Sequence, residues 1–154
     1  MSPPGAGDAL ADLARVVDER AIVDLTIRYC SAIDGRRFDE LREVFVVDAV
    51  ADYGRAGRCD GVDAIIETCT RALGPLDASQ HLVTNHQVRL DGPQASAECS
   101  FSAQHVRRAA EGGPHLTIAG IYIDELVRTE AGWRIRHRTL RVVWTEGNDK
   151  VTKP

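Results

Sequence analysis

From Ala9 to Ile33 the apolar residues recur at helical spacing. Ile22, Leu25, Tyr29 and Ile33 form one stripe, and Asp18, Glu19, Asp24 and Arg28 lie off it. Gly35 stands where a helix stop is expected. A second helix is predicted from Phe38 to Phe45, on Phe38, Leu41, Val44 and Phe45, and a third from Gly61 to Leu73, on Val62, Ile65, Ile66 and Cys69. Between them, Val46 to Tyr53 is a short apolar run suited to a strand, punctuated by Gly54 and Gly57.

The second half changes period. Four extended segments follow, roughly His81–Leu90, Gln94–Arg107, His115–Arg128 and Trp133–Trp144, divided by Asp91-Gly92, by Glu111-Gly112-Gly113-Pro114 and by Thr129–Gly132. Strands joined by such short turns are antiparallel. Helices first and a meander second predict an α+β fold: a cone-shaped curved sheet, mixed or antiparallel, with three N-terminal helices enclosing one pocket. Residues 1–7 read as a tail, 8–146 as a single domain and 147–154 as a C-terminal tail.

Composition narrows the function classes. With 27% charged residues, a net charge of −4 and no basic stripe, the chain does not read as a nucleic-acid binder. No apolar run approaches membrane-spanning length, and residues 1–7 lack the pattern of a signal peptide, so a cytoplasmic protein is expected. Cys30, Cys59, Cys69 and Cys99 form no CxxC pair and read as buried small hydrophobes. No metal site and no cofactor motif is expected.

The candidate chemistry lies in a few polar residues. In the second long strand Ala95, Ala97, Cys99, Phe101 and Ala103 alternate with polar residues, and His105 continues their apolar face. It is either a core histidine bonded to a backbone carbonyl or a functional group facing inward. His81 shares its parity with Val83, Asn85 and Gln87, opposite Leu82, Val88 and Leu90. It therefore faces water unless a bulge shifts the register near that end. Asp34 is an acid at a helix C-terminus, where partial negative charge favours cations. Tyr53 closes the short apolar run, its hydroxyl aimed into a pocket or at the surface. Asp48 and Asp52 read as solvated, His86 as structural, His115 as exposed, and Arg134, Arg136, His137 and Arg138 as a solvated basic strand face. By parity, His81 and His86 fall on opposite faces.

Three segments carry a family resemblance: Arg28 to Asp34 with Phe38-Asp39-Glu40-Leu41, Phe45 and Asp48; Gln80 to Asn85; and Ala119 to Tyr122 with Gly132 to Ile135. They resemble the SnoaL-like domain of the nuclear-transport-factor-like superfamily over roughly residues 15–145. The fold hosts several unrelated activities. In two members, scytalone dehydratase and hexachlorocyclohexane dehydrochlorinase, an Asp–His pair works inside the cone, and Asp34 and His81 match it. His105 and Tyr53 look like the dehydratase's assisting histidine and tyrosine.

The resemblance thus implies an inward His81, with a bulge or turn there, and a cofactor-independent lyase, isomerase or cyclase acting by proton abstraction. Tyr29, Ile33, Phe101 and Tyr122 are expected to line the pocket around a small hydrophobic, aromatic or polyketide-like substrate. The departures are Ile33 where the dehydratase has tyrosine, no clear match near Ala119 for its pocket serine, and Tyr29 where the dehydrochlorinase has lysine. Two other classes stay open: a ketosteroid-isomerase-like enzyme using Glu98 or Asp124 as base, and a non-catalytic binding or assembly module. A homodimer or homotrimer is expected, because the third long strand is apolar on both faces, with Ile121, Ile123 and Val127 on one and Leu116, Ile118, Tyr122 and Leu126 on the other.

Overall fold

A computed structural model describes residues 6–153 of the protein. The expected tail falls mostly on residues 1–5, outside the described residues. Helix α1 (Ala6–Asp34) already includes the last two of the seven. The second expected helix is a 3₁₀ helix at Phe38–Glu43, and it leads into β1 (Phe45–Asp52). A tight turn reverses the chain into the short β2 (Arg58–Asp60), which sequence reading missed, and α2 (Val62–Leu73) follows. The meander then runs β3 (Ala78–Asp91), β4 (Gln94–Val106), β5 (His115–Thr129) and β6 (Gly132–Gly147). No helix among the described residues is long and apolar enough to cross a membrane.

The six strands form one sheet in the order β2-β1-β6-β5-β4-β3. All neighbours are antiparallel except β1 and β6, which run parallel, so the sheet is mixed. The expected α+β architecture with a curved sheet is therefore the observed one. The odd-numbered face of β4 is buried from Ala95 to His105, as its alternation predicts. It meets the even-numbered face of β5 in register, with Cys99 opposite Tyr122 and His105 opposite Leu116. Against this inner surface α1 packs Ile22, Leu25, Tyr29 and Ile33, and α2 packs Val62, Ile65 and Cys69. Within the expected tail at 147–154, Asp149–Thr152 form a 3₁₀ turn whose Val151 is buried in the core, and residue 154 lies outside the described residues.

Two bulges decide which side chains reach that surface. In β3 the pairing slips between Thr84 and Gln87, where Asn85 takes a left-handed φ of 56°. Before the slip Ser79, His81 and Val83 face α1; after it His86, Val88 and Leu90 do. In β6 the pairing slips opposite Glu125 and Leu126, so both Ile135 and Arg138 turn inward. The expected solvated basic face is thereby corrected at Arg138, which is fully buried.

Gly120 is required by close approach. A methyl group there would lie 2.2 Å from the Arg141 carbonyl oxygen and 2.8 Å from the Phe101 ring, which rests on the glycine and stacks on Tyr122. Gly120→Ala is expected to destabilise the fold by about 1–3 kcal/mol through overpacking. An unchanged midpoint in chemical denaturation would contradict this.

Candidate active site

Asp34 is the last residue of α1, whose final turn carries no basic side chain. The helix then closes with a double hydrogen-bonded turn, Arg37 N–H to Ala32 O at 2.9 Å and Arg36 N–H to Ile33 O at 3.2 Å. The left-handed residue of this turn is Arg36, at φ 60°, and not the expected stop Gly35. A non-glycine residue in that region costs about 1–2 kcal/mol. The Arg36 side chain offers a reason. Its guanidinium donates to the carbonyls of Ile33, Asp34 and Leu76 at 3.0, 3.3 and 3.3 Å, and to the Ser79 hydroxyl at 2.8 Å. A cation therefore sits on the negative end of the helix, next to the carboxylate that the helix alone disfavours.

Three donors converge on Asp34. His81 Nδ1 lies 2.7 Å from Oδ1, the Ser79 hydroxyl donates to the same oxygen at 2.9 Å, and the His81 backbone N–H donates to Oδ2 at 2.7 Å. Burial pushes the Asp34 carboxyl up, but the hydrogen bonds from His81 and Ser79 outweigh it and hold the group below the ordinary aspartate range. The carboxylate is thus ionised at neutral pH and accepts the Nδ1–H of His81, so that in the neutral ring the lone pair is on Nε2. The side chains are 22% and 6% exposed, so solvent meets the pair on the carboxylate side.

His105 stands beside it, with ring centroids 5.5 Å apart and perpendicular to His81. Its Nδ1 lies 3.3 Å from the Leu116 carbonyl oxygen, which can only accept, so His105 carries its proton on Nδ1 and has a bare Nε2. Burial, reinforced by neighbouring His81, pushes its pKa down to about 4. An unfolded chain takes up this proton near pH 6.5, the folded one only near 4. The unfolded state binds more protons between those values, so stability falls as pH drops through that window. His105→Leu is expected to remove a stability loss of up to about 3 kcal/mol between pH 6.5 and 4. Denaturant unfolding of both proteins at pH 7 and 4.5 checks it.

Of the other expected site residues, Tyr29, Tyr53, Phe101 and Tyr122 pack on one another on the inner surface. Tyr53 is 8% exposed and accepts a hydrogen bond from the Tyr29 hydroxyl at 3.2 Å, so its partner is Tyr29 rather than Asp34 or His81. Tyr29, Ile33, Phe101 and Tyr122 are all buried, and Tyr29 and Phe101 both contact the Tyr122 ring. Surface depressions of about 490 and 360 Å³ open beside Gly112–His115 and beside Arg89–Asp91, and none of the site residues lines them.

Sequence reading missed Arg138. It forms a double hydrogen bond with Asp124, both contacts 2.7 Å, and its guanidinium lies 4.3 and 4.4 Å from the Tyr29 and Tyr122 ring centroids. Burial alone would favour loss of its proton, but Asp124 keeps the group charged. The Nη1 has no hydrogen-bond partner among the described residues. This pairing engages Asp124, and Glu98 is exposed, so neither stands as a free inward base. His86, read as structural from the sequence, faces α1 on the same side as His81. Its Nε2 is 2.8 Å from the Thr26 hydroxyl, which in turn donates to Val23 O. The four cysteines are all free and buried, and burial pushes the Cys30 thiol up to about 12. Among the described residues no cluster of three His, Cys, Asp or Glu side chains is placed to hold a metal ion.

The sequence profile of the SnoaL-like domain matches residues 14–139. An uncharacterized protein of Mycobacterium tuberculosis is 36% identical over 132 residues, covering 84% of this chain and 88% of that protein. Protein E of the terrestric acid biosynthesis cluster of Penicillium crustosum is 30% identical over 138 residues, covering 85% and 86%. Among solved structures, the hexachlorocyclohexane dehydrochlorinase LinA-type3 of Novosphingobium barchaimii superposes with a TM-score of 0.79 at 18% identity, covering 90% of this chain and 94% of that one. At that identity the likeness is one of fold.

Proposed function

Since the chain belongs to the SnoaL-like family, we propose that it is a cofactor-independent lyase or isomerase in which Asp34 and His81 abstract a proton from a small organic substrate. The observation that carries this reading is the 2.7 Å contact between Asp34 Oδ1 and His81 Nδ1, on a carboxylate held ionised at neutral pH. The bare Nε2 of His81 takes the proton from a carbon next to an electron-withdrawing group. The C–H electron pair then expels a leaving group from the neighbouring carbon, or shifts into a conjugated carbonyl. Asp34 stabilises the imidazolium formed, and a positioned base of this kind contributes about 10²–10⁴-fold.

His105, neutral and with its donor engaged by Leu116, serves as an acceptor for a substrate hydroxyl rather than as an acid. Tyr53 acts with Tyr29 at the aromatic end of the inner surface. The apolar side chains of Ile33, Phe101 and Tyr122 favour a hydrophobic or aromatic substrate of the polyketide type, in keeping with a relative from a biosynthetic cluster. The test is a panel of β-hydroxy carbonyl, β-chloro and enone compounds followed by loss of substrate and by deuterium uptake from solvent. Activity that survives removal of the Asp34 charge would sink the reading.

A further inference from the structure

We propose that Arg36 and Ser79 are positioning residues that fix the carboxylate of Asp34 for His81, so that the pair depends on a residue held in a strained backbone conformation. This inference rests on the reading above and names two further groups in the same site.

Arg36 occupies the left-handed position that glycine usually fills in this type of helix end, although Gly35 is its neighbour. A helix stop needs no side chain there, and a strained position kept by a side chain points to what that side chain holds. Arg36 spans two elements. From the end of α1 it reaches the Leu76 carbonyl ahead of β3 and the Ser79 hydroxyl at the start of β3. Its donation to Ser79 at 2.8 Å leaves that hydroxyl's own proton directed at Asp34 Oδ1, at 2.9 Å. Ser79 is two residues before His81 and on the same face of β3, so one fork sets the spacing between the helix carrying the acid and the strand carrying the base.

Arg36→Gly separates the two roles by what happens at His81. A plain helix stop gains from glycine, which adopts φ 60° without strain. A positioning residue loses its grip on Ser79 and Leu76. Histidine-labelled protein read by nitrogen NMR reports the His81 tautomer and the exchange of its Nδ1 proton, with no substrate needed. The expected result is a folded variant with Nδ1–H exchange at least tenfold faster and a mixed tautomer at His81, its melting temperature set by relief of strain against the loss of the Arg36 hydrogen bonds. Ser79→Ala is expected to shift the same signals in the same direction, and it decides the matter alone should Arg36→Gly fail to fold. Wild-type tautomer and exchange in the folded variants overturns the proposal and leaves Arg36 as a helix stop. Altered His81 signals with unaltered turnover would instead strike the catalytic reading and leave the positioning role standing.

Discussion

Replacing Asp34 by asparagine is expected to lower turnover by about 10²–10⁴-fold with the fold intact. The three groups aimed at Asp34 are all donors: the His81 ring, the His81 backbone N–H and the Ser79 hydroxyl. An ionised carboxylate accepts from every one. Asparagine accepts at a single oxygen, and its NH₂ group must then confront a donor. The backbone N–H and its direction are fixed by the strand, so the imidazole gives way. It turns Nδ1 into an acceptor and moves its proton to Nε2. The lone pair that would attack the substrate is lost together with the charge that stabilises the imidazolium. The measurement is kcat/KM on the substrate the panel yields, alongside thermal unfolding. A fall of less than about tenfold, well short of what general base catalysis supplies, would contradict the assignment.

The largest effect on stability is expected at the other end of the inner surface. Asp124→Asn leaves the Arg138 guanidinium charged, fully buried and without its counter-ion. Breaking one partner of such a pair costs about 3–5 kcal/mol. In a chain of this size that lowers the melting temperature by roughly 10–15 °C. The three aromatic rings around Arg138 temper the loss only in part, because its Nη1 already lacks a partner among the described residues. The double replacement Asp124→Leu with Arg138→Met removes both charges and is expected to recover most of the loss. Circular dichroism melts of the single and double variants check both statements. A single variant within about 1 kcal/mol of wild type would mean that water or another group reaches Arg138.

Regular alternation made β4 legible from sequence, and with it the inward side of His105. The helical stripe through Tyr29 and Ile33 was equally plain, because one period runs unbroken to Asp34. Legibility failed wherever the period slips. His81 and His86 are five residues apart and should face opposite ways, yet both reach α1, because the bulge at Asn85 adds a residue between them. The resemblance called for an irregularity near His81, and the bulge occurs four residues further on. Arg138 was read as solvated for the same reason, since a bulge leaves no mark in an amphipathic strand when basic residues stand on both sides of it. Asp34 is conspicuous from its position alone, an acid at a helix C-terminus. The cation that compensates it is not, since Arg36 looks like any charged turn residue until its φ is known.

The strand order also governs how the molecule can be assembled in time. β6 leaves the ribosome after the other five strands of the sheet, yet it lies between β1 and β5 and pairs Val50 with His137. Until it arrives, β1 and β2 have no sheet to join, and α2 has only a two-stranded ribbon to cover, which is marginal by itself in water. α1 and β3 can meet earlier, but the inner surface closes only when β6 docks between the two halves. Distant pairings of this kind slow folding, because loop closure precedes the contacts that reward it. A nascent chain halted before residue 132 would therefore hold both Asp34 and His81 and still lack the strand that completes their sheet.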